Sequence, residues 1–294
     1  MLDNIHFVYQ LLINVIFYVG LYFLVLILLT IDSTLVIWLI IERIVFITIP
    51  LILKSRKPSL NSESVIIYFI YQALASILII TGFINYYIDI TPFTFLLGIF
   101  IKLGMFPFHL WVIPVLTGCS YRIIFTLLVP VKIPMYLLSD CKRGLLIPVR
   151  IFRMVTGIVL AINQTRLLKV IIGSRIGSSG ILVSRFQVNI FRLYFLIYSI
   201  TLLTFLYRLY IFNTTLTFVR LLSFLGVPLF PLFIPKLLLL RKFIEVPFFS
   251  GFLLLTFAVS SLYYVKFLPS LAGGEIKWKW IVIFLPASFL PYLL

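Results

Sequence analysis

Apolar residues run along this chain in long blocks, with polar residues gathered in short gaps between them. A helix needs roughly 20 apolar residues to cross the hydrocarbon core of a bilayer. Phe7–Ile31 and Ser64–Ile88 meet this with no charge, and Val246–Val265 is a third charge-free run. The stretch from Trp280 to Leu294 suffices if Trp278 and Trp280 sit at the interface. Between these lie apolar segments interrupted by single charges, over 35–53, 91–115, 123–139, 144–162, 168–183, 190–212 and 216–240. The pattern predicts an all-α polytopic membrane protein of about 10–11 transmembrane helices. MLDNIHF lacks the basic region of a signal peptide and the Arg/Ser-rich pattern of a transit peptide, so the first span reads as structural.

Composition agrees with that pattern. Of 294 residues, 63% are hydrophobic and 11% charged, and the mean hydropathy is +1.22. Soluble domains carry about a quarter charged residues, so a water-facing surface is excluded. Cys119 and Cys141 cannot build a disulfide framework, and no Cys/His cluster has metal-ligand spacing. The net charge of +16 fits basic loops on one membrane face rather than nucleic acid. Lys54, Arg56 and Lys57 form the densest early basic cluster, against Asp32 and Asp89 in the neighbouring gaps. Residues 54–63 and the N-terminus are therefore expected on the matrix or cytoplasmic side. Heavy use of Ile, Leu and Phe suits an AT-rich genome, as in an organelle.

Ionisable residues inside apolar spans are costly and mark functional paths. Glu42 lies in the middle of LVIWLIIERIVFITIPLIL, with Arg43 on a different helix face. Lys102 falls in TPFTFLLGIFIKLGMFPFHLWVIPV, followed by His109. Lys132 stands between Pro130 and Pro134, and Lys236 follows Pro228, Pro231 and Pro235. Proline breaks the helical ladder, and broken helices at membrane depth occur inside protein or along wet cavities, as in ion-handling transporters. At least two spans are therefore expected to be broken. The competing readings are plain ones: Glu42 as polar glue between helices, the lysines as snorkelling side chains, His109 as an interfacial histidine. Arg150 and Arg153 share a helix face and read as partner or lipid-headgroup contacts.

The run Lys102-Leu103-Gly104-Met105-Phe106-Pro107-Phe108-His109-Leu110-Trp111-Val112 closely resembles the KLGxxPFHxWV signature of subunit 2 of mitochondrial NADH:ubiquinone oxidoreductase, respiratory complex I, within the antiporter-like family. Trp38 and Glu42 resemble its W-x-x-x-E, and Ser62, Glu63, Tyr68, Phe69, Gln72, Ala73, Ala75 and Ser76 its S-x-E…YF…QAxAS segment. Asn163-Gln164-Thr165 with Lys169 and Ser174 resembles NQTxxxK…S, and Gly226 to Lys236 resembles the GLPPLxGFxPK broken helix. The resemblance covers about residues 35–240.

The resemblance implies a shortened antiporter-like fold forming one transmembrane domain over 1–294, and a proton-translocating membrane-arm subunit. Glu42 would be the buried carboxylate, Lys102 its partner, Lys132 the central relay lysine and Lys236 the distal one. His109, Trp111, Pro107, Pro130 and Pro235 would support them. Low dielectric disfavours an ammonium and a nearby carboxylate favours it, so joining or separating Glu42 and Lys102 would toggle a proton. No covalent catalytic residue, metal or cofactor is implied for this chain; NADH, FMN, iron–sulfur clusters and ubiquinone would be used by other subunits. The implied partners are other membrane-arm subunits and membrane lipids, with no nucleic acid. The implied location is the mitochondrial inner membrane, multi-pass, organelle-encoded.

Departures from the pattern are specific. Val112 is followed by Ile113 and Pro114 instead of an acidic residue, Ser178 stands where a histidine is expected, and Arg175 takes a small-residue position. Phe230 and Leu232 replace expected Pro-Leu-Thr-Gly elements. Glu42 lies in the second expected span, as in a form lacking the first helices of longer relatives. The alternatives are a structural membrane-arm subunit that no longer pumps, and a sister antiporter-like subunit or free-standing cation/proton antiporter. A lipid or small-solute transporter is a third class, for which the sequence offers no internal repeat.

Overall fold

The structure, a computed structural model, describes residues 2–28, 30–31, 33–54, 58–86, 93–105, 107–139, 155, 157–161, 164, 167–182, 189–211, 221, 223–224, 231–243, 257 and 264. Every regular element among them is helical, as expected where no water can satisfy stray backbone groups. The chain is an all-α polytopic membrane protein. Among the described residues, four helical segments are long and apolar enough to cross a bilayer: Thr34–Leu53, Ser62–Ile84, Phe93–Gly118 and Tyr121–Leu138. Two shorter apolar helices are Leu12–Leu28 and Arg192–Tyr207. The expected spans over 144–162, 216–240, 246–265 and 280–294 lie wholly or partly outside the described residues.

Two compact units divide the chain, Met1–Lys142 and Arg143–Leu294. The first contains α1 (Leu2–Leu28), α2 (Thr34–Leu53), α3 (Pro58–Tyr86), α4 (Phe93–Leu103), a 3-10 turn (Phe108–Trp111), α5 (Val112–Gly118), α6 (Tyr121–Leu128), a second 3-10 turn (Pro130–Lys132) and α7 (Ile133–Ser139). On α2, Ile37, Ile41, Ile44 and Ile52 are buried while Leu35, Leu39, Phe46 and Leu53 face outwards. A helix apolar on every side suits a bilayer, where lipid covers the outer face. Glycine sets how closely α3 and α4 approach. A Cβ on Gly82 would lie 2.5 Å from the Phe95 backbone nitrogen, and one on Gly98 would lie 2.8 Å from the Ala75 carbonyl oxygen. Small residues permit such backbone contact in membrane bundles.

The second unit contains helical residues 157–161, α8 (Leu167–Leu182), α9 (Asn189–Ile211) and α10 (Phe233–Phe243). Gly157 meets Gly177 of α8 so closely that a Cβ there would lie 2.3 Å from its nitrogen. α9 and α10 pack together.

Candidate functional site

The expected break is present at Lys132, and the helix carrying Lys102 is broken as well. α4 ends at Leu103, and Gly104 turns the chain with φ +66. The Gly104 N–H donates to the Ile101 carbonyl at 3.0 Å and the Met105 N–H to Phe100 at 2.8 Å, the paired bonds of a Schellman ending. This pattern leaves the Leu103 carbonyl outside the helical ladder. Lys132 Nζ donates to it at 2.9 Å, placing the lysine nitrogen at the negative end of a helix. Lys132 reaches this point because Pro130, which has no N–H, opens a 3-10 turn after α6. The lysine is 4% exposed.

Lys102, in the last turn of α4, forms a part-buried ion pair with Glu42 from the middle of α2. The Lys102 side chain is 1% exposed and that of Glu42 20%, so the carboxylate lies at the rim of this unit. Trp111 closes the pair from the far side of the break: its Nε1 donates to the Ile101 carbonyl at 3.0 Å, and its ring meets Tyr68 edge-on at 5.9 Å. The Tyr68 and Thr48 hydroxyls are hydrogen-bonded at 3.0 Å. Between the lysines is a cavity of about 20 Å³ lined by Lys102, Lys132, Tyr68, Gln72 and Trp111. One water needs roughly 10–15 Å³ and two or more polar partners, and the lining supplies both.

In the second unit, Lys236 is the fourth residue of α10, 6% exposed. Its Nζ donates to the Phe224 carbonyl at 2.9 Å and lies 5.3 Å from the Phe257 ring centroid.

No family model matches the chain. It is 30% identical over 229 residues to NADH-ubiquinone oxidoreductase chain 2 of Albinaria caerulea, covering 72% of this chain and 74% of the relative. The chain belongs to the NADH-ubiquinone oxidoreductase chain 2 family. Chain 2 of Dasypus novemcinctus is 26% identical over 297 residues, with 84% of each covered, and that of Locusta migratoria is 28% identical over 260, covering 77% and 75%. A chain in the structure of respiratory complex I from Thermus thermophilus with bound aureothin shares the fold: the TM-score is 0.71 at 20% identity, over 88% of this chain and 74% of that one.

Of the residues singled out on the chain 2 signature, Glu42, Lys102, Lys132 and Trp111 converge in the first unit, and Pro130 is buried at the Lys132 break. Pro107 is exposed and leads into the 3-10 turn, in which His109 is partly buried. Pro235 is buried beside Lys236 on α10. Of the GLPPLxGFxPK-like stretch, residues 225–230 lie outside the described residues, as do the side chain of Ser178 and all of Arg150 and Arg153. Among the described residues, no group of three His, Cys, Asp or Glu could hold a metal. Thr48 and the Leu103 and Phe224 carbonyls were not foreseen as partners. Tyr68 and Gln72 could have been, as polar residues four apart on one face of an apolar helix.

Proposed function

We propose that this chain is a proton-translocating membrane-arm subunit of NADH:ubiquinone oxidoreductase, in the mitochondrial inner membrane, and that its antiporter-like domain spans residues 1–294. The observation that carries the reading is the Glu42–Lys102 pair, whose lysine lines a water-sized cavity shared with Lys132. Membership of the chain 2 family supports it. The complex's other subunits would supply the redox groups, and this chain would supply the path.

The side chains suit a handover. When Glu42 is drawn away from Lys102, the ammonium loses the charge that favours it. An N–H bond of Lys102 then breaks towards the cavity water, which passes a proton to a neutral Lys132. Lys102 is recharged when a proton returns to its Nζ, and the Glu42 carboxylate, charged throughout, then pairs with it again. Lys236 would take a later step in the same sequence, and no covalent intermediate is needed.

The test is the number of protons moved per NADH oxidised by the assembled complex in sealed membranes. Glu42→Gln and Lys102→Ala should each assemble and lower that ratio. A ratio equal to the parent's in both variants overturns the relay.

A further inference from the structure

The second unit buries another cation that the relay above does not use. Arg175, on α8, has 0% exposure. Its guanidinium carbon lies 4.6 Å from the Tyr198 ring centroid and 5.0 Å from that of Phe195, both on α9. Tyr198 meets Phe224 at 5.5 Å, edge to face, and the Phe224 carbonyl is the acceptor that holds Lys236. A second set of contacts closes the ring. Tyr264 stacks on Phe224 at 5.8 Å and 18°, and its hydroxyl donates to Ser174 Oγ at 2.5 Å. Ser174 directly precedes Arg175. Among the described residues, the other titratable groups that these ring contacts bring in are the hydroxyls of Tyr194, Tyr198 and Tyr264.

An arginine keeps its proton in a protein, so the charge at position 175 is permanent. Aromatic faces attract such a cation and repay part of its desolvation, yet a charge at membrane depth remains expensive. Stacking alone would be met by an uncharged side chain at lower cost. What only a cation provides is a field, which in apolar surroundings reaches further than in water. The nearest titratable cation along the described contacts is Lys236.

We propose that Arg175 is a positioning residue for proton release at Lys236: a fixed positive charge, held on Tyr198, that opposes a second positive charge on the lysine beyond Phe224. This rests on the relay reading above. A protonated Lys236 faces a like charge that keeps its own proton, so its N–H proton leaves more readily once a water or base can take it. The Tyr198–Phe224 contact keeps the two cations at a set separation.

The experiment measures protons moved per NADH oxidised in the intact complex, with Lys236→Met as reference. Arg175→Met, which keeps volume and loses charge, should lower the ratio towards that of Lys236→Met. Arg175→Lys, which keeps charge and loses the flat stacking surface, should hold the parental ratio. The proposal is overturned if Arg175→Met pumps like the parent, or if Arg175→Lys is as defective as Arg175→Met. Should Arg175→Met fail to assemble, Arg175→Lys decides alone: assembly with the parental ratio supports the charge role, and anything less overturns it. If Lys236→Met itself pumps normally, the relay reading fails, and this result is distinct from failure at position 175.

Discussion

Gly104→Ala tests whether the break after α4 matters to the site beside it. At φ +66 an alanine sits in the left-handed region, which costs a residue with a Cβ about 1–2 kcal/mol. That is roughly a 5–30-fold loss in the population of the turn against alternatives. The new Cβ would also lie 2.2 Å from Val112 Cγ2, and Val112 is 1% exposed on a stiff β-branched side chain. The two costs are separable. In a Val112→Ala background the steric part is relieved, and the backbone part remains. Because the Schellman bonds position the Leu103 carbonyl that Lys132 holds, both Gly104→Ala variants should pump fewer protons per NADH than their own parents, the single variant most. Thermal disassembly of the complex on native gels gives the accompanying stability. If Gly104→Ala pumps like its parent in the Val112→Ala background, the positive φ is irrelevant to Lys132 and the reasoning fails.

Three further outcomes follow from the packing and the chemistry. Trp111→Phe loses the 3.0 Å bond to the Ile101 carbonyl but keeps a ring against Tyr68; it should cost about 0.5–1.5 kcal/mol, read as earlier thermal disassembly, and an unchanged midpoint counts against that bond. Gly98→Val places branched carbon where even a Cβ would be 2.7 Å from Ile79 Cγ1, so α3 and α4 must separate and the assembled complex should be scarce on native gels. Cys119 lies between the spans Phe93–Gly118 and Tyr121–Leu138, and burial pushes its thiol up to about 12. Since the thiolate is the nucleophile, alkylation of a Cys141→Ser protein should rise about tenfold per pH unit with no plateau near pH 9; a plateau there refutes the burial argument.

The spans were legible because a bilayer demands long apolar helices, and 35–53 and 64–88 correspond closely to α2 and to the apolar part of α3. Which side of each helix faces inwards was not. Leu39 is 48% exposed and Ile40 9%, yet both are equally at home in lipid or protein. The break at Lys132 could be read from Pro130. The break beside Lys102 carried no such sign: Gly104 makes it, and Pro107 stands exposed outside. The pairing of Glu42 with Lys102 came from a motif resemblance rather than from spacing. Arg175 was visible as an oddity, but nothing marked Tyr198 and Phe195 as its rings among 16 tyrosines and 30 phenylalanines.

Lys132 and Lys236 share a kind of partner that has its own consequence. A peptide carbonyl accepts an N–H from an amine as well as from an ammonium, because a lysine keeps hydrogens on Nζ in either state. The tethers to Leu103 and Phe224 therefore report where the nitrogen is, not whether it is charged, and they can hold through the whole of the proposed cycle of loading and unloading. Glu42 is different in kind, since its attraction to Lys102 vanishes with either charge. The site thus combines one contact that senses charge with anchors indifferent to it. Those anchors survive any side-chain replacement at 103 or 224 that leaves the backbone in place.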